Sequence, residues 1–147
     1  MKKTGIFLLL LLLTGCGFFQ QPDFVAVEPP KAAVIVGDTE IPIVPGSFCW
    51  SARGVGKCVD TVSPPELVKN QRPITVKPGS SLEISFTQSP VSKSLGANQW
   101  IGGQPSPVPV VEENKIVLPV EKGEYIYDIF AQWEQGSASY AFVVSVE

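Results

Sequence analysis

The chain has 147 residues, 11 of them basic and 14 acidic, for a net charge of −3, and it contains no histidine. Without histidine it lacks the usual general base, the usual proton shuttle and the commonest metal ligand. No basic run follows Lys2 and Lys3, which argues against a nucleic-acid partner, and 14 prolines with 13 glycines among short Val, Ile and Thr runs mark a β protein with many turns.

Lys2 and Lys3 precede an unbroken apolar run from Ile6 to Leu13. That run is too short to cross a hydrocarbon core of about 30 Å as a helix. A positive start, a short apolar stretch and a small residue before a cut make a secretory signal. Here the residues at the cut are Leu13-Thr14-Gly15-Cys16, a lipobox. The expectation is a lipoprotein signal peptide over residues 1–15, with Cys16 acylated as the new N-terminus on the outer face of the cell membrane. Each buried methylene is worth about 0.8 kcal/mol and stable anchoring takes two chains, which a diacylated thioether supplies. Loss of Lys2 and Lys3 takes the net charge from −3 to −5.

Residues 16–31 read as a tether, with Gln20-Gln21-Pro22 near its start and Glu28-Pro29-Pro30-Lys31 at its end. Proline stiffens such a segment toward polyproline II, at about 3.1 Å per residue. The domain is expected over 32–147. Ala33 to Val36 reads as a strand, Gly37-Asp38 as a primed hairpin turn, and Thr39 to Val44 as a second strand. Pro42 cannot donate to a ladder, so that strand should lie at an edge or leave pairing there.

Phe48, Cys49 and Trp50 approach a turn over Ser51 to Gly56, and Lys57, Cys58 and Val59 leave it. With Cys16 assigned to the anchor, two cysteines remain in an exported chain, nine positions apart across a Gly-rich turn. A Cys49–Cys58 disulfide is the natural reading, with Trp50 packed on it. So short a loop should add about 2.5–3 kcal/mol by the chain-entropy estimate. A redox pair favours Cys-x-x-Cys spacing, and zinc needs more ligands than two thiolates.

Ser63 and Glu66 have capping-box spacing, Pro64 suits a first helical position, and Val62 with Leu67 can form a hydrophobic staple. Asn70 to Pro73 stops this helix after one or two turns, leaving a connector. Arg72 to Val76 is a strand, Lys77-Pro78-Gly79-Ser80 a type II turn, and Leu82 to Thr87 a half-buried antiparallel strand with Leu82, Ile84 and Phe86 on one face. Ser89 to Pro109 reads as irregular, with a short strand at Gln99 to Ile101. Lys115 to Val120 is a strand. From Gly123 to Trp133, Tyr125, Tyr127, Ile129, Ala131 and Trp133 share one face; after a turn at Gln135-Gly136-Ser137, Tyr140, Phe142, Val144 and Val146 do the same. Cross-strand matching of aromatic and β-branched residues is what holds such a hairpin.

Gly46-Ser47-Phe48-Cys49-Trp50 with Cys58-Val59-Asp60, the run Ser63-Pro64-Pro65-Glu66-Leu67, and Gly123 to Tyr127 with Ala138 to Phe142 together resemble a group of uncharacterised surface lipoproteins of Gram-positive bacilli. The resemblance spans about Pro42 to Val146. It implies an address and a fold, and no activity. The closing strands also resemble the last two of an immunoglobulin-like sandwich, although the disulfide is local and does not join two sheets. The fold class expected is all-β: an immunoglobulin-like antiparallel β-sandwich with one short connecting helical turn.

No cofactor or metal is expected. The leading functional reading is a membrane-anchored binding or structural module. Its partners would be the membrane through the lipid on Cys16 and a protein or cell-wall component. The candidate binding loop is Ala97 to Pro109, with Trp100, Ile101, Gly102 and Gly103 at its centre and Pro105, Pro107 and Pro109 behind. Trp100 is read two ways, as an exposed anchor or as a ring tucked into the core. A protease inhibitor, with the Arg53 to Gly56 tip and the Trp100 loop forming one edge, is the alternative. An enzyme is not expected, because a Ser or Cys nucleophile would lack a histidine partner and no acidic cluster suggests a carboxylate pair.

Overall fold

The computed structural model describes residues 27–112 and 114–147. The expected signal peptide over 1–15, Cys16 and the expected tether up to residue 26 lie outside the described residues.

Among the described residues, eleven strands and one helix follow in order: β1 (Ala32–Val36), β2 (Thr39–Ile41), β3 (Val44–Ala52), β4 (Val55–Val59), α1 (Pro64–Val68), β5 (Ile74–Val76), β6 (Ser81–Phe86), β7 (Gly96–Ile101), β8 (Gln104–Val108), β9 (Lys115–Val117), β10 (Gly123–Trp133) and β11 (Gly136–Val146). They form two sheets. One has the order β2-β1-β6-β9, and the other β4-β3-β11-β10-β7-β8, with β5 added parallel to the last part of β11. Every other ladder is antiparallel. This is the all-β sandwich expected. With β6 and β9 in one sheet and β8-β7-β10-β11 in the other, the order matches that of an immunoglobulin-like fold. Residues 39–68 are an addition to it, and they supply β2, β3, β4 and α1.

The β10–β11 hairpin lies at the centre. Its alternation faces Tyr127, Ile129, Ala131 and Trp133, with Tyr140, Phe142, Val144 and Val146, into the space between the sheets, all buried. Val34, Leu82, Ile84 and Ile116 meet them from the other sheet. The Tyr127 and Phe142 rings stack at 5.5 Å, and Trp133 takes Phe86 edge-on at 5.1 Å and Trp50 at 5.6 Å. Tyr125 donates its phenol hydrogen to the Glu121 carbonyl at 2.9 Å, which ties the start of β10 to the corner before it, as the tyrosine corner of immunoglobulin-like sandwiches does.

The second face of β11 is also dry. Ala141 and Val143 are buried under Val68, with Leu67, Val44 and Ile126 around them. The helix read as a connector is therefore a cover for the outside of the larger sheet. Its capping box does not form. Ser63 makes no side-chain cap, Glu66 turns to Lys69, and the Glu66 and Leu67 amides donate to the Ser63 carbonyl at 2.9 and 3.0 Å. The staple fails because Leu67 is drawn to the sheet and Val62 stays 55% exposed.

Other boundaries move for local reasons. Pro42 divides the expected Thr39 to Val44 strand, which leaves β2 at one edge and starts β3 in the opposite sheet. The Lys115 strand ends at Val117, where the Leu118 amide turns to the Ser80 carbonyl at 2.8 Å. Ser89 to Pro109, expected to be irregular apart from a short strand at Gln99 to Ile101, contains the hairpin β7–β8, with that strand inside β7. Trp50 points into the core, away from the exposed Cys49 beside it, so it does not pack on the disulfide; neighbours in a strand face opposite ways.

Gly136 carries the tightest backbone approach. A Cβ there would sit 1.9 Å from the Cys49 carbonyl oxygen, and backbone cannot retreat as a side chain can. Gly54 takes φ +79° in a turn, and a Cβ there would meet nothing within 4 Å. Gly136→Ala should therefore cost about 3 kcal/mol in urea unfolding, against about 1 kcal/mol for Gly54→Ala, which meets only the left-handed backbone penalty. Equal losses would show that β3 moves freely against β11.

Candidate functional site

β7 and β8 are joined through Gly102 and Gly103, with φ of +59° and +80°. Two consecutive positive φ values define a type I′ turn, whose twist suits a two-residue hairpin. The closing pair is Ile101 with Gln104, followed by Trp100 with Pro105, Gln99 with Ser106, and Asn98 with Pro107. Pairs alternate between bonded and non-bonded. Pro105 and Pro107 therefore occupy the positions whose backbone nitrogen faces away from β7, toward open solvent. β8 is the last strand of its sheet, and two prolines there remove the donors that a stray strand would use.

Side chains of alternate residues on β7, β8 and β10 share the outer face of the larger sheet. Pro105, Trp100 and Ile126 form one row, Pro107, Asn98 and Asp128 the next, and Gly96 with Phe130 a third. Asp128 is 7% exposed, the one charged side chain buried among the described residues. Three donor contacts satisfy its carboxylate. The Trp100 indole Nε1 donates to Oδ1 at 2.6 Å, and Asn98 Nδ2 donates to Oδ1 at 3.3 Å and Oδ2 at 3.4 Å. Trp100 is thus half-buried on the outer face, with its N–H committed to Asp128. It is neither a core ring nor a free anchor. Its orientation is set by a charge-assisted hydrogen bond, which is about twice as strong as a neutral one. Phe130 lies over Gly96, where a Cβ would meet its ring at 2.4 Å.

Of the residues singled out in the sequence, Ile101 is 58% exposed, and Gly102 and Gly103 are exposed at the turn. Asp128 and Asn98 were not singled out. The available signal is a lone acid within the apolar alternation of Tyr125 to Trp133, on the face opposite Tyr125, Tyr127 and Trp133. The hairpin itself was legible in Gly102-Gly103 between two pairs of extended residues.

Cys49 and Cys58 are bonded, with sulfurs 2.04 Å apart, and they pair directly across β3 and β4. The turn Arg53-Gly54 caps that hairpin at the level of Gly136, where β11 begins. The Gly102-Gly103 turn lies past Ile126, which pairs with Val143 near the end of β11. The two tips are at opposite ends of the domain, roughly 40 Å apart at about 3.4 Å per strand residue. They do not form the single inhibitory edge considered from the sequence.

The chain enters the domain at the β3–β4 end. Residues 27–31, expected as the last part of the tether, run along the domain surface. Tyr140 donates its phenol hydrogen to the Pro30 carbonyl, the Thr87 amide donates to the Lys31 carbonyl at 2.9 Å, and Lys57 pairs with Glu28 at 3.3 Å. Pro30 is buried, and burial pushes the Tyr140 phenol up to about 12. An apolar cleft of about 360 Å³ lies beside this strap, lined in part by Pro29, Pro45, Phe48 and Tyr140. Among the described residues, no three carboxylate, thiolate or imidazole groups lie close enough to share a metal ion. No described helix is long and apolar enough to cross a membrane.

Comparison of the chain with protein-family models, with curated proteins and with solved structures finds no match.

Burial raises the Asp128 carboxyl above the ordinary carboxylate value, and the hydrogen bonds from Trp100 and Asn98 only partly oppose it. A raised value in the folded state means that the native protein holds its proton to higher pH than the unfolded chain. This contribution to stability is full below the unfolded value of about 3.9 and is lost as pH rises through the folded value. Asp128→Asn should remove that fall from the curve of unfolding free energy against pH above the unfolded value, flattening it relative to the parent. An unchanged curve would place the titration elsewhere.

Proposed function

We propose that this chain is a membrane-anchored extracellular lipoprotein whose β-sandwich is a binding module, held by the lipid on Cys16 and meeting a protein or cell-wall partner through the Trp100 to Gly103 turn. One observation carries the reading: the strap from the anchor meets the sandwich at one end, and the β7–β8 turn projects from the other. Strands β10 and β11, each eleven residues, span the distance between them. With the strap fixed by Tyr140, Thr87 and Lys57, the entry end stays toward the membrane and the turn faces outward.

The turn has the features of a recognition element. Its backbone is stiff, because two glycines in a primed turn and an anchored Trp100 leave little freedom to lose on binding. Its exposed apolar residue, Ile101, has no packing role that explains it. Its edge is sealed by Pro105 and Pro107, so a partner would meet side chains and the turn, not a growing sheet.

The reading is tested on intact cells. A photoreactive residue at Gln104 should cross-link one specific partner, and Ile101→Asp should abolish that product. The melting temperature should barely change, since exposed substitutions usually stay within about 0.5 kcal/mol. Cys16→Ser should leave precursor uncleaved or release protein to the medium. Cross-linking from Arg53 but not from Gln104 would overturn the assignment of the binding end, and unchanged lipid labelling of the Cys16→Ser variant would remove the anchor.

A further inference from the structure

β4 is the other end strand of the larger sheet, and it lacks the protection that β8 has. The hairpin closes on Ala52 with Val55, so Val55, Lys57 and Val59 bond inward to β3. Gly56 and Cys58 then direct their N–H and C=O groups away from the sheet. Among the described residues no backbone group bonds to them. The remaining edges offer less. β2, β5 and β9 have three residues each, Pro42 follows β2, and Val111 already bridges Lys115 at β9. β4 is five residues long, contains no proline, and is exposed over most of its length.

We infer that the β4 edge is a docking site for an extended polypeptide segment of another protein, which adds to the sheet as a further strand. The ladder of Gly56 and Cys58 specifies backbone as the ligand, because two donors and two acceptors in strand spacing match another strand and no compact small molecule. The side chains beside it specify the rest. Val55, 57% exposed, and Val59, half-buried, share one face with Lys57 between them, so the incoming strand carries apolar residues opposite the two valines. The site is rigid before it is occupied. The Cys49–Cys58 bond staples β4 to β3, Lys57 is held by Glu28 at 3.3 Å, and its ammonium sits 5.4 Å from the centre of the Phe48 ring. Little order remains to be lost on docking.

A second copy of this chain is the competing occupant, and geometry counts against it. Two copies continuing one sheet across β4 by two-fold symmetry run antiparallel, so one is turned end for end relative to the other. Their chain entries would then point in opposite directions, so one of two copies held by Cys16 in one membrane would have to run its tether back along the whole domain. That exclusion alone rests on the anchor proposed above; the open edge does not.

The test uses the full chain in detergent micelles and a displayed library of random linear peptides as the probe. Selected peptides should share a run of alternating apolar and β-branched residues. Gly56→Pro gives β4 the kind of guard that β8 carries, and it should weaken those peptides about tenfold or more through loss of one ladder bond and the clash of the ring. Independently of that variant, hydrogen exchange at the Gly56 and Cys58 amides of the unaltered chain should slow when a selected peptide is added, while exchange at Gly102 and Gly103 should not. Failure to enrich any sequence, equal binding by Gly56→Pro, or unprotected Gly56 and Cys58 amides would each overturn the inference. A dimer of the full chain that Gly56→Pro dissolves would assign the edge to a second copy and would also overturn it. None of these outcomes depends on the Gln104 cross-link, so the two binding ends succeed or fail separately.

Discussion

The structure depends on the pairing of β10 with β11. Eleven register pairs run from Gly123 with Val146 to Trp133 with Gly136, without a break. Every other strand of the larger sheet is placed by this ladder: β7 by β10, and β3 and β5 by successive parts of β11. The inner face carries Tyr127 against Phe142 and Ile129 against Tyr140, and these rings meet the β1 and β6 side chains of the opposite sheet. A one-residue slip would turn all of them to the outside at once, so the buried face holds the register strongly. The bulge between Ala138 and Tyr140 is on the β3 side, where Ser139 Oγ donates to the Ser47 carbonyl at 3.1 Å and Gly46 leaves room for it. The ladder with β10 continues through the same residues without interruption.

Because β10 is central, a polar residue on its outer face has consequences for both neighbours. Asp128 is held by Asn98 from directly across β7 and by Trp100 from the next outward position. A carboxylate buried with its donors satisfied costs less than one left alone, but removing either donor would leave a charge uncompensated. The arrangement therefore fixes Trp100 and, through it, the last turn of β7 before Gly102. The same carboxylate marks the boundary between the part of the outer face covered by α1 and the part left with Trp100, Pro105 and Pro107. One buried acid thus connects core register, hairpin direction and the exposed turn.

Much of this architecture was legible in the chain. Alternation in Tyr125 to Trp133 and Tyr140 to Val146 identified the central hairpin, and Cys49 with Cys58 identified their own bond across a Gly-rich turn. The misread parts fail for physical reasons. Prolines at 105 and 107 look like breakers, yet at alternate positions of an edge strand they cost no ladder bond. Ser63 and Glu66 had the spacing of a capping box, but tertiary packing claimed Leu67 and the ion pair with Lys69 claimed Glu66. Trp50 was assigned to the disulfide by proximity in sequence, whereas strand geometry turns adjacent side chains to opposite faces. The Trp100 pairing with Asp128 joins residues 28 apart in the chain, and no local pattern announces such a contact.

The two edges of the larger sheet are built differently. Strand edges in water are hazards, and a chain under no other demand would guard both. β8 is guarded by prolines at each outward position, at a cost only to an edge that has no neighbour. β4 is stiffened by a disulfide and by the Lys57 contacts, yet its outward groups are left bare. Guarding needs one substitution, since Gly56 already faces outward with only Ser51 Oγ near a Cβ at 3.4 Å. The open edge lies at the end where the chain enters, and the sealed edge carries the turn at the far end. On the two contacts proposed above, a domain built this way would separate them along its length: side-chain recognition where backbone pairing is blocked, and backbone pairing where the strand is stapled and free of proline.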